Sequence, residues 1–148
     1  KLSGVTTNTT YAVDSVIKQT VGLGSTAIGF VASWDSITGV LKYYQPTGLA
    51  SSESGFRIIK FTSNPDVGYG TTINCSSIIG PALSIDTNFN GITTTINNRI
   101  YQLGVDFVSG IGSAEFNKKS GEIIYIDNRA PIPRSASQKE DIKIVLEF

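Results

Sequence analysis

The sequence predicts a mainly β protein: an antiparallel β-sandwich-like domain with one or two short helical turns. Three observations carry that expectation. Isoleucine and valine far outnumber leucine and alanine, and branching at Cβ restricts rotamers in a helix while packing well on a pleated sheet. Threonine, serine, asparagine and 15 glycines fill the intervals between apolar runs, which is the chemistry of turns. Several of those runs alternate apolar and polar residues with the period of two that a half-buried strand needs. The 148 residues are enough for one globular domain with a core of its own, since a chain of this size buries roughly 70% of its unfolded surface.

Taken in order, Val13, Val16, Ile17 and Thr20 have helical spacing, but the segment is short and β-branched, so helix and strand compete there. The clearest hairpin follows. Ile28, Phe30, Ala32 and Trp34 alternate on one face, Asp35-Ser36-Ile37-Thr38-Gly39 breaks the run, and Val40 to Tyr44 returns. A loop of this length ending in glycine predicts a left-handed residue at its close. Few charges precede Glu53, so residues 1–50 read as a threonine-rich β-hairpin layer. That layer is either a subdomain ending near Gln45 to Ser54 or part of one domain with residues 51–148. Phe56 to Thr62 reads as a strand stopped at Asn64-Pro65, because proline offers no amide hydrogen to a ladder.

Another run spans Gly91 to Leu103. Ser113 to Gly121 predicts a helical turn: Ser113 caps it, Glu115 sits in its first turn, Lys118 and Lys119 in its last, and Gly121 ends it. Ile123-Ile124-Tyr125-Ile126 is apolar on both faces and reads as a central strand. Ile142, Ile144, Leu146 and Phe148 share one face of a final strand.

Composition then narrows the chemistry. There is no histidine, the side chain best suited to moving protons near neutral pH, so triads built on it are excluded. A single cysteine, Cys75, forms no internal disulfide and assembles no zinc site. Carboxylate-only hydrolysis stays formally open, and would need two acids facing each other across a cleft. Twelve basic and 12 acidic side chains cancel, which argues against a broad electrostatic grip on nucleic acid or anionic membrane. No apolar run reaches the length of a membrane span, and Lys1 to Tyr11 has no signal-peptide core. Lacking methionine altogether, the chain is expected to be a processed form or an excised piece.

Each chemical motif has a plainer reading beside it. Gly22-Leu23-Gly24-Ser25-Thr26-Ala27 has the glycine spacing of a dinucleotide-binding loop, but a strand-like run follows it and no acidic residue stands at the right distance. It is read as an inter-strand loop. Asp86-Thr87-Asn88-Phe89-Asn90-Gly91 matches the first half of a calcium loop, yet Asn97 stands where a bidentate glutamate should close the shell. It is read as a polar turn, with no metal assigned. Asn8-Thr9-Thr10 and Asn74-Cys75-Ser76 fit the N-glycosylation pattern and are read as chance matches. Trp34, Tyr43 and Tyr44 could line a sugar platform, although aromatics on alternating hairpin positions are more often core. Asp127-Asn128-Arg129-Ala130-Pro131-Ile132-Pro133-Arg134 is a proline-stiffened polar loop. Its arginines either bond nearby groups or make a protein contact, for which a rigid loop loses little entropy on docking.

The stretch from Ser120-Gly121-Glu122 through Ile123-Ile124-Tyr125-Ile126 and Asp127-Asn128-Arg129-Ala130-Pro131-Ile132, then Gln138-Lys139-Glu140-Asp141 into the terminal run, carries a resemblance. It resembles the C-terminal end of the baseplate wedge subunit family of T4-like contractile-tailed phages. Gly55-Phe56-Arg57 leading to Ser63-Asn64-Pro65 is similar to a second block of that family, in the same order. Residues 66–111 look like an expansion, and Lys1 to Tyr44 have no counterpart in the T4 member, though their style is similar to the enlarged versions of marine cyanobacterial phages.

The resemblance implies a non-enzymatic virion protein of the tail baseplate, assembled in the host cytoplasm, that packs against other wedge proteins and forms a homodimer. It supplies no catalytic residue, metal ligand or cofactor. The protein-interface residues expected from the sequence are Asn128, Arg129, Pro131 and Arg134, with neither nucleic acid nor membrane as partner. The rival expectation is a carbohydrate-binding or adhesin-like β domain displayed on a virion.

Overall fold

The computed structural model describes residues 1–6, 8–45 and 58–115. Their strands are β1 (Leu2–Ser3), β2 (Thr10–Tyr11), β3 (Val16–Gly22), β4 (Ser25–Asp35), β5 (Val40–Tyr44), β6 (Thr72–Cys75), β7 (Ile78–Ile79), β8 (Leu83–Ile85), β9 (Gly91–Ile96), β10 (Arg99–Val108) and β11 (Ile111–Gly112). Six of them form one antiparallel sheet in the order β1-β8-β6-β3-β4-β5, with a β2-β7 ribbon and a small β11-β10-β9 sheet beside it. Strands from before residue 45 and after residue 58 share the large sheet, since β6 pairs with β3 and β1 with β8. Lys1–Glu115 is one compact unit. Phe116–Phe148 is a second, and the strands expected within it lie outside the described residues.

The mainly β, antiparallel expectation holds, whereas the helical turns are absent from the described residues. The segment in which helix and strand competed is β3, its burial alternating from Ile17 and Gln19 inward to Lys18 and Thr20 outward. Four β-branched residues in that strand favour the pleated conformation. Ser113 to Glu115 are not helical either, and the rest of that predicted turn lies outside the described residues. Gly22 to Ser25 closes β3 onto β4 as a tight hairpin turn, as the loop reading required.

The β4–β5 hairpin forms where expected, but its inward face is the other one. Ala27, Gly29 and Val31 are buried, while Ile28 and Phe30 are half-buried and Ala32 is exposed. A bulge at Ala32, where Val31 pairs with Tyr43 and Ser33 with Lys42, then flips the parity and returns Trp34 to the core side. Gly29 explains the misreading. A Cβ there would lie 3.0 Å from Phe61 Cε2 and 3.0 Å from the Tyr44 carbonyl, so the buried stripe carries a hydrogen at its centre and reads as weakly apolar.

The loop that closes this hairpin is held by one carboxylate. Asp35 Oδ1 accepts the Ile37 amide at 2.9 Å, Oδ2 accepts the Thr38 hydroxyl at 2.6 Å, and the Gly39 amide donates to the Asp35 carbonyl at 2.8 Å. Gly39 has φ of 71°, the left-handed close expected from the sequence.

The core gathers Leu2, Tyr11, Ile17, Ala27, Val31, Phe61, Ile73, Leu83 and Ile85. Two fully buried polar side chains tie it together. Tyr11 donates its hydroxyl to the Ile73 carbonyl at 3.0 Å and accepts the Leu83 amide at 2.8 Å. Gln19 accepts the Thr62 amide at 2.9 Å and donates to the Thr62 carbonyl at 2.7 Å. That second pair corrects another expectation, for Ile58 to Thr62 is not a strand. Phe61 is buried, but a side-chain amide stands in for the neighbouring strand.

Tyr11→Phe should keep the ring and strand two backbone groups in the core. We expect a loss of about 1–3 kcal/mol in urea unfolding; an unchanged midpoint would show that the hydroxyl bridge contributes nothing.

The Asp35 carboxyl titrates below its ordinary 3.8, chiefly through the Thr38 hydroxyl bond, with burial opposing and the Ile37 and Thr38 amides adding to the lowering. Its contribution is therefore present above the unfolded pKa and lost as pH falls through the depressed value. The stability gap between the native chain and Asp35→Asn should narrow between about pH 6 and about pH 3, and an equal gap at both would refute the assignment.

Candidate contact surface

Asn128, Arg129, Pro131 and Arg134, the interface residues expected from the sequence, lie outside the described residues. The aromatic candidates lie within them and divide. Trp34 belongs to the fold: its indole Nε1 donates to the Thr9 carbonyl at 3.1 Å, and its ring lies 5.1 Å from that of Tyr11, tilted at 55°. Tyr43 meets Phe61 edge-on at 4.7 Å and rims a small apolar pocket with Leu41, Ile85, Phe107 and Ile111. The pocket's volume of about 50 Å³ suits a few water molecules and falls well short of a sugar ring. Tyr44 points to the opposite face, where it stacks on its cross-strand partner Phe30 at 5.4 Å and 19°. It remains 49% exposed.

The half-match to a calcium loop turns its oxygens to other uses. Asp86 Oδ1 accepts the Asn88 amide at 3.3 Å, Asn90 Oδ1 accepts the Ser109 amide at 2.7 Å, and the Phe89 carbonyl accepts the Gly110 amide at 2.8 Å. The Lys1 ammonium approaches Asp86 at 3.9 Å and lies 5.6 Å from the centre of the Phe89 ring. This polar turn between β8 and β9 thereby clamps the Ser109-Gly110 turn that joins β10 to β11.

Beyond that clamp stands a feature the sequence reading passed over. Gly91 to Leu103 is two strands, with Asn97 and Asn98 between them at φ of 49° and 62°. Paired left-handed residues make the mirror-image two-residue turn that suits the twist of a hairpin, and asparagine tolerates it better than other side chains. The Asn-Asn pair between apolar runs was the available signal. Thr94, Ile96, Tyr101 and Leu103 are half-buried, whereas Thr93, Thr95, Ile100 and Gln102 are exposed. Phe107 is the buried residue of this small sheet, edge-on to Phe89 at 5.6 Å. The hairpin is therefore rooted at Phe107. Ile92, Ile100 and Val108 are 44%, 75% and 71% exposed, with Ile92 and Ile100 on opposite faces of the hairpin, on an arm whose first strand carries no charge.

Compared with protein-family models, curated proteins and solved structures, the chain has no match. No helix among the described residues is long and apolar enough to cross a membrane.

The Trp34 contacts predict its spectroscopy. Its emission should be blue-shifted, only partly quenched by acrylamide, and insensitive to added glycans. Fully quenched, red emission that responds to a glycan would return Trp34 to the role of a platform.

Proposed function

We propose that this chain is a structural virion protein, part of a phage tail baseplate wedge subunit that assembles in the host cytoplasm through contacts with other wedge proteins. The observation that carries the reading is the division of labour among its side chains. Buried polar groups such as Tyr11 and Gln19 are engaged inside the fold, and apolar side chains stand exposed on a projecting hairpin. A surface of that kind is suited to being covered by a neighbouring protein. The resemblance over Ser120 to Phe148 supplies the setting, and Arg129 and Arg134, in a proline-bearing stretch of sequence, are the charged donors proposed for the contact.

A carbohydrate-binding reading keeps one supporting observation, the outward Phe30–Tyr44 stack. Its platform would be that pair, with Trp34 excluded by its own hydrogen bond.

Arg129→Ala combined with Arg134→Ala should leave the thermal unfolding profile unchanged and lower recovery of the co-expressed wedge complex at least about tenfold. Undiminished recovery would sink the interface assignment. Unfolding of the Arg129→Ala chain would make the loop structural instead.

A further inference from the structure

The outer edge of β9 has a sequence that complements itself. Ile92-Thr93-Thr94-Thr95-Ile96 reads the same in both directions, and among the described residues β9 pairs on one side alone, with β10. In a hairpin closed by a two-residue turn, the pair flanking the turn exchanges hydrogen bonds, and bonded and non-bonded pairs alternate from there. Ile96 and Arg99 flank the turn. Ile96 and Thr94 therefore direct their backbone groups toward β10, while Thr93 and Thr95 direct theirs outward. β9 also lacks lysine, arginine, acidic residues and proline, the devices by which exposed edges are kept from pairing.

We infer that this edge pairs with the same edge of a second copy of the chain, antiparallel about a two-fold axis through Thr94. In that register Thr93 of each copy faces Thr95 of the other, and each such pair exchanges N–H and C=O bonds through groups already aimed outward. Ile92 faces Ile96 of the second copy, so the apolar stripe of Ile92, Ile96, Tyr101 and Leu103 continues across the junction. A slip by two residues would set Ile92 against Thr94 and break that match, so the palindrome selects one register. The contact is small, so the dimer is expected to be weak and reversible. The inference does not depend on the virion reading, because it uses the β9 edge alone.

Sedimentation equilibrium of the full chain at about 100 µM should give a dimer. Thr93→Lys with Thr95→Lys sets like charges opposite each other in both pairs and should raise the dissociation constant at least about tenfold. Thr93→Lys with Thr95→Glu sets opposite charges there and should stay within about threefold of the native value. An equimolar mixture of the lysine double variant with Thr93→Glu/Thr95→Glu should form a heterodimer. Circular dichroism confirms that each variant is folded. A native chain that sediments as a monomer overturns the inference, as do folded variants that dimerise, or fail to dimerise, irrespective of charge arrangement. None of these outcomes bears on the wedge contacts of Arg129 and Arg134.

Discussion

The buried amide of Gln19 lies on the central strand of the sheet, and much of the unit is arranged around it. Its two bonds to the Thr62 backbone reproduce a bonded pair of an antiparallel ladder with a side chain as one partner. A further approach to the Gly70 carbonyl at 3.4 Å ties in the next stretch of chain. Without the amide, two half-buried Thr62 backbone groups would be left without a protein partner, at a cost of about 1–3 kcal/mol for the pair. With it, Phe61 is pressed onto the sheet at Gly29, where a methyl group would crowd the Phe61 ring and the Tyr44 carbonyl. Gln45 repeats the device, its amide donating to the Ile28 carbonyl at 2.9 Å and the Ile59 carbonyl at 2.8 Å. The segment from Ile58 to Thr62 is thus held by glutamines rather than by a ladder.

This dependence explains which parts of the fold were legible. The β4–β5 hairpin was readable because Asp35, Thr38 and Gly39 act within five consecutive residues. Its parity was not, because the residue that decides it, Gly29, is small on account of Phe61, a neighbour distant in sequence. Alternation reports only which side chains share a face. It carries no information about what pairs with the backbone, so an extended segment bonded to glutamine side chains looks like a strand.

The contact surface was harder to see for a similar reason. Trp34, Tyr43 and Tyr44 sit close together in sequence, yet they serve three different environments, because a bulge and the strand pleat separate them. The Asn97-Asn98 turn was open to local reading. The exposure of Ile100 was not, since an apolar residue in a β-branched run reads as core until the layer beneath it fails to appear. Asn128, Arg129, Pro131 and Arg134 rest on the family resemblance and on loop chemistry alone.

The sheets also differ in how their edges are treated. At one edge of the large sheet, β1 is only two residues long, and its outward Leu2 amide is taken by the Gly39 carbonyl at 2.7 Å. At the other edge, β5 carries Lys42, paired with Glu115 at 2.7 Å on the surface. That ion pair adds little stability, but a charge on an edge strand discourages a second strand from docking there. β9 has neither protection, although its hairpin needs support most, since two strands rooted at one phenylalanine are marginal in water. An arm whose outer strand is uncharged and self-complementary gains a further strand when a second copy pairs with it. A small contact of that kind is weak between freely diffusing copies and becomes strong where an assembly holds them side by side, because the local concentration then reaches the millimolar range. Such an edge would pair chiefly where copies are held close together.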